Sequence, residues 1–270
     1  MNTSEVEALF AQTLLGDYED DGAWAAVSAL RQDGSREIFE YGAAWCLSDD
    51  PLKRARGAAI LCQLRRAPVT NTSGEGAQWD KPDWMFRDES YSLVTRMLDN
   101  EQDPAVLASA IAALGHLDNV SGVPLILRYR DHPDEDVRFA VACALGCFPN
   151  DPQSVDGLLK LTSDTDADVR DWAVFGLGVQ GGADSPEIRE ALLRCMGDAN
   201  EDVREEAAVG LGKRQDQRLL PMLCKMLDGP EVKVRVGEAA AALLGLESDP
   251  PEWTAADYKT ALTSKFQIPA

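Results

Sequence analysis

The sequence predicts an all-α solenoid, a stack of helix–turn–helix repeats, on three observations. One segment, Asp134-Glu-Asp-Val-Arg-Phe-Ala-Val-Ala-Cys-Ala-Leu-Gly146, returns as Asp166-Ala-Asp-Val-Arg-Asp-Trp-Ala-Val-Phe-Gly-Leu-Gly178. It returns again as Asn200-Glu-Asp-Val-Arg-Glu-Glu-Ala-Ala-Val-Gly-Leu-Gly212. Each copy has helical apolar spacing, and a second helical segment precedes it. No strand alternation appears anywhere.

Arg138, Arg170 and Arg204 stand 32 and 34 residues apart (138 to 170, then 170 to 204). An Asp or Asn opens each copy and is expected to cap the free N–H groups, with further acids favoured in the first turn. Val137, Ala140, Val141, Ala144 and Leu145 then fall on one face. The closing glycine is expected to take a left-handed cap. Tyr91–Leu98, Val123–Tyr129, Val155–Leu161, Pro186–Cys195 and Leu219–Leu227 supply the preceding helices. One such pair cannot bury its apolar face alone, so neighbouring pairs must stack.

Along the chain, residues 1–47 read as an N-terminal cap with a degenerate repeat around Tyr18–Leu30, and 48–64 as a repeat helix opened by Asp50-Pro51. Residues 65–89 break the period as a loop insertion. The regular repeats run over 90–246, with Asp103 opening a weaker copy and Arg235 marking another. A C-terminal capping helix closes 247–270, with Thr254 and Asp257 at a capping-box spacing. The whole of 1–270 reads as one repeat domain.

Composition narrows the function. Of 270 residues 45% are apolar, enough for a core, and no apolar run is long enough to span a membrane. The acidic start offers no secretory signal, so a cytoplasmic location is expected. Six scattered cysteines, without a CxxC pair, read as reduced core residues. Net charge is −20, from 46 acids against 26 bases spread along the chain. Such a surface repels phosphate backbones and attracts basic proteins, so a protein partner with a basic surface is expected and nucleic acid is not.

No catalytic constellation is legible. His116 and His132 lie in no metal-binding spacing and read as turn residues; no metal, cofactor or catalytic residue is expected.

The pattern Asp-x-x-Val-Arg-x-x-Ala-x-x-Ala-Leu-Gly, clearest over Asp134–Gly212 and looser from Asp50 to Gly245, resembles the short HEAT-like repeats of the phycobilisome-lyase type. The resemblance implies a right-handed superhelix with the second helices lining its concave side. It also implies that Asp136, Asp168 and Asp202 pair with Arg138, Arg170 and Arg204 across neighbouring repeats, as a structural ladder. Deoxyhypusine hydroxylases of similar architecture bind iron through His-Glu pairs, and this chain has no His-Glu dipeptide.

On that alignment the concave groove carries an aromatic centre, Phe139, Trp172 and Phe175, beside the acids Asp171, Glu205, Glu206 and Glu238. An apolar middle with an acidic margin suits a basic protein surface. In the insertion Trp79, Trp84 and Phe86 are a second candidate anchor, or else fold back over the repeats. The reading is thus a non-catalytic scaffold for a basic partner. Two others stand beside it: an immunity or inhibitor protein that neutralises a bacterial toxin, and a phycobilin lyase-like or chaperone-like subunit.

Overall fold

The computed structural model describes residues 1–16, 20–65, 84–229, 231–248, 250 and 252–267. Among these the regular structure is helical, apart from an isolated antiparallel bridge between Arg65 and Trp84. The fold is an all-α solenoid of paired helices. Its contacts gather into two compact units, Met1–Ala144 and Leu145–Ala270.

The first unit opens with α1 (Thr3–Gln12), α2 (Asp21–Asp33), α3 (Arg36–Trp45) and α4 (Pro51–Leu61). After the insertion come α5 (Arg87–Met97), α6 (Pro104–His116) and α7 (Val123–Leu127). Helix α8 (Glu135–Gly146) runs through the boundary between the units. The apolar core here joins Val6, Phe10, Val27, Leu30, Ile38, Ile60 and Leu61. Phe10 anchors it, with its ring 4.8 Å from Trp45 and 5.1 Å from Tyr41. Arg56 is fully buried, its Nε donates to the Thr13 carbonyl at 3.0 Å and its guanidinium lies 4.8 Å from the Trp24 ring.

The second unit holds α9 (Pro152–Leu161), α10 (Ala167–Phe175), α11 (Pro186–Cys195) and α12 (Glu201–Lys213). It ends with α13 (Leu220–Met226), α14 (Val234–Leu244) and α15 (Ala255–Phe266). Helices α10, α12 and α14 lie side by side, with α12 packed against both neighbours. Val169, Ala173, Val203, Ala207, Leu211, Ala239 and Leu243 are buried along them.

The expected caps form. Asp50, Asp103, Asp166 and Asn200 each accept a backbone N–H of the first turn of the helix they open. Thr254 and Asp257 form the capping box of α15. Asp134 likewise accepts from the Asp136 and Val137 amides.

The closing glycines differ from expectation. Gly146 and Gly212 lie within their helices, Gly178 within a π-turn over Gly176–Gln180, and none has a positive φ. Their purpose is close approach. A Cβ on Gly210 would stand 2.7 Å from the Gly178 Cα, and one on Gly212 would stand 2.5 Å from the Ala239 carbonyl oxygen. In the first unit a Cβ on Gly115 would stand 2.8 Å from the Ala144 Cα. Helices this close leave no room for a side chain at the crossing.

The cysteines only partly match the core reading. Cys46, Cys62 and Cys195 are buried, and burial pushes the Cys46 and Cys195 thiols up to about 12 and about 11. Cys147 is exposed. It follows the last residue of α8, where the apolar stripe has ended.

Candidate functional site

The ladder arginines share one geometry built from the turn before each helix. Arg170 Nη1 donates to the Asp164 and Thr165 carbonyls at 2.9 and 3.1 Å. Arg204 does the same to Asp198 and Ala199, Arg138 to His132 and Pro133, and Arg54 to Ser48 and Asp49. A helical side chain leans over the turn N-terminal to it, which places the guanidinium against those carbonyls.

For Arg170 the carboxylate partner is not the one the family resemblance implies. Arg170 forms a two-point ion pair with Asp198, at 2.7 and 2.8 Å, in the turn of the next repeat. Arg54 pairs in the same way with Glu101. Asp198 and Glu101 each stand two residues before a cap and also accept that cap residue's amide. Asp136, Asp168 and Asp202 occupy exposed first-turn positions. The turn acids were missed by sequence reasoning, and their recurrence at cap minus two was the signal available.

In the second unit, α10, α12 and α14 bring together the aromatic and acidic residues that the sequence singles out. Val169, Ala173 and Val174 face inward on α10, which leaves Asp171, Trp172 and Phe175 toward the surface. Trp172 is 39% exposed. Its ring meets Phe175 edge-on, with centroids 5.6 Å apart and planes at 77°. Arg235 of α14 lays its guanidinium 5.6 Å from the Phe175 ring centroid. It also bonds Glu206 and Glu238, both at 2.8 Å.

Two carboxylates on this face are held well above their ordinary range. Burial drives Asp171 up to about 6, with Asp202 and Asp168 adding negative potential and Arg235 opposing. Burial drives Glu206 up to about 7, against the attraction of Arg235. Asp171 Oδ1 and Glu206 Oε2 are shut off from solvent with no hydrogen-bond donor among the described residues.

The other expected contact residues divide. Glu205 is 8% exposed and its Oε1 accepts from Lys233 Nζ at 2.9 Å, so it ties α12 to the start of α14. It is a structural group, because its charge is already answered inside the fold. The pairing of Lys233 with Glu205 and of Arg235 with Glu206 is what sequence reasoning missed here. Phe139 lies half-buried on α8 in the first unit. Phe86 packs on Phe39 at 4.8 Å beneath the Arg36 guanidinium, and Trp84 pairs through its backbone with Arg65. Both are half-buried against the first unit, which is the fold-back arrangement. Trp79 lies outside the described residues.

Neither histidine joins this face. His116 ends α6, and His132 Nδ1 accepts the Asp134 amide. Among the described residues no group of His, Cys, Asp and Glu side chains is arranged to hold a metal, and no helix is long and apolar enough to cross a membrane.

Stacked helix pairs locked by turn-to-turn ion pairs define an α-solenoid repeat protein. The chain matches HEAT repeats over residues 92–178 and 155–244, together more than half its length, and belongs to that family. It is similar to Protein YibA of Escherichia coli strain K12, 26% identical over 236 residues that cover 85% of this chain and 78% of YibA. The same figures hold for Protein YibA of Escherichia coli O157:H7. The X-ray structure of YibA superposes with a TM-score of 0.69 at 22% identity, covering 99% of this chain and 93% of that one. That likeness supports the fold.

Proposed function

We propose that this HEAT-repeat chain is a non-catalytic scaffold of the cytoplasm that holds a partner protein with a basic surface on the α10–α12–α14 face. The observation that carries the reading is a surplus of negative charge held in place beside an exposed aromatic. Asp171, the sequence neighbour of Trp172, and Glu206 on α12 are kept at raised pKa values, with Arg235 shared between Glu206 and Glu238. A fold gains nothing in stability from carboxylate oxygens left without a donor, as Asp171 Oδ1 and Glu206 Oε2 are, which favours a functional role for this acidic face. The net charge of −20 extends the attraction beyond contact range.

The same surplus favours a second reading, in which the partner is a basic effector that binding neutralises. A catalytic partner whose activity falls on addition of the chain supports that form of the scaffold.

The test is affinity capture from the native cell with wild-type chain and with Trp172→Ala/Asp171→Asn, eluted by a salt step. Retention of a basic protein by the wild type, released by salt and lost in the variant, is the expected result. A captured protein retained equally by the variant contradicts the assignment of the face.

A further inference from the structure

The acid surplus is not uniform, and one cavity in the first unit has the opposite character. It measures about 170 Å3 and is lined by Ser28, Arg31, Gln32, Gln63, Arg65 and Trp84. Two guanidinium groups, two carboxamides and a hydroxyl converge there, with no carboxylate among the described lining residues. In a chain of 46 acids and 26 bases, that lining departs from its surroundings.

Local structure places these groups. Ser28, Arg31 and Gln32 stand at i, i+3 and i+4 on α2, hence on one face of it. Gln63 and Arg65 follow α4, and the Arg65 amide donates to the Arg31 carbonyl at 2.9 Å. The Met85 amide donates to the Leu64 carbonyl at 2.8 Å, which brings Trp84 in as a further wall. Arg31 is itself fixed, with Nε and Nη2 on the Ala59 carbonyl at 2.9 and 2.6 Å, and Nη1 is its remaining edge. Elsewhere Arg54, Arg170 and Arg218 each meet a carboxylate of the fold. Arg31 and Arg65 form no ion pair among the described residues, although both are half-buried.

We propose that this cavity binds a small phosphate dianion, either free or as the end group of a phosphate monoester. Arg31 and Arg65 supply two positive charges, and Ser28, Gln32 and Gln63 supply neutral donors. A tetrahedral phosphate accepts from several directions, which suits donors arriving from α2 and from residues 63–65 together. A carboxylate accepts in one plane only. The planar fork of arginine also matches phosphate oxygens two at a time. The volume admits a phosphate with a small organic group, and falls below the ~300 Å3 at which pockets for larger organic ligands begin. The net charge of −20 repels a polyanion, but at physiological salt a single dianion is screened from charges beyond about 8 Å. Binding here requires nothing of the α10–α12–α14 face.

The probes are inorganic phosphate and glycerol phosphate, titrated into the full chain at pH 8 with chloride holding the ionic strength constant. Calorimetry reads the affinity, and the side-chain NMR resonances of Gln32, Gln63 and Trp84 locate the ligand. Saturable binding that shifts those resonances is expected, and the tighter of the two probes tells the free ion from the monoester. Arg65→Gln is expected to weaken binding about tenfold or more. Gln63→Glu, which sets a carboxylate into the cavity, is expected to abolish it. Arg65→Lys keeps the charge without the fork and is expected to fall between wild type and Arg65→Gln, which separates loss of the site from loss of folding. Arg96→Gln, on α5 outside the cavity, is expected to leave binding unchanged. No saturable binding by the wild type, or equal binding by wild type and Arg65→Gln, overturns the site. Equal weakening by Arg96→Gln marks a general charge effect and overturns it too. Succinate bound as tightly as phosphate overturns the phosphate assignment.

Discussion

Arg170 grips Asp198 with both edges of its guanidinium, at 2.7 and 2.8 Å, across the turns of two successive repeats. Only 16% of the Arg170 side chain and 12% of the Asp198 side chain are exposed. The pair also carries backbone work, since Asp198 accepts the Asn200 amide and Arg170 donates to the Asp164 and Thr165 carbonyls. It joins two turns and orders both.

Arg170→Ala is expected to destabilise the chain by about 2–4 kcal/mol, because it strands a partly buried carboxylate and two turn carbonyls. Arg170→Lys is expected to recover little of this, since one ammonium cannot span both oxygens and the carbonyls. Urea unfolding at pH 7 measures both.

The Arg170 guanidinium holds the Asp198 carboxyl below its ordinary range. A lowered folded pKa contributes stability that is present above the unfolded value near 4 and lost as pH falls through the folded value. Thermal unfolding between pH 6 and pH 2.5 is therefore expected to show a smaller penalty for Asp198→Asn at the acid end than at pH 6.

Glu206 runs the other way. Its pKa is raised from the ordinary carboxylate range to about 7, so the folded state binds a proton that the unfolded chain releases. That contribution is complete below about pH 4 and is lost as pH rises through about 7. Glu206→Gln, which mimics the protonated acid, is expected to leave stability unchanged at pH 5 and to raise it by up to ~2 kcal/mol at pH 8. Melting curves at the two pH values decide it.

Glu205→Lys is expected to lower stability by about 2–4 kcal/mol, because it removes one of the two carboxylates that hold Lys233 and places a second cation beside it in a buried site. Glu238→Lys on the same face, where the side chain is 37% exposed, is expected to cost less. Equal losses for the two substitutions would contradict the division drawn between structural and surface acids.

Much of the architecture was legible because each repeat carries its own local signals. The Asp and Asn caps, the apolar spacing of α8, α10 and α12, and the Thr254–Asp257 box depend on residues within one turn of each other. What escaped depends on neighbours about thirty residues away. Glu205 and Glu206 read alike in sequence as surface acids, and only the packing of α14 reveals Lys233 and Arg235 as their partners. The Leu-Gly endings read as caps because a helix-closing glycine usually is one. Here the approach of Gly178 to Gly210 gives the residue a packing role that no single segment contains. Asp171, Trp172 and Phe175 follow from the repeat alignment, just after Arg170 and one turn later, and they lie toward the surface of α10.

Hydrogen–deuterium exchange of the chain, alone and with its captured basic partner, tests the central claim most directly. The account expects added protection over 167–175, 201–213 and 234–244, since those helices carry the acids and rings of the proposed contact. Protection confined to the first unit, for example over α3 and α5, with those three segments unchanged, would contradict it.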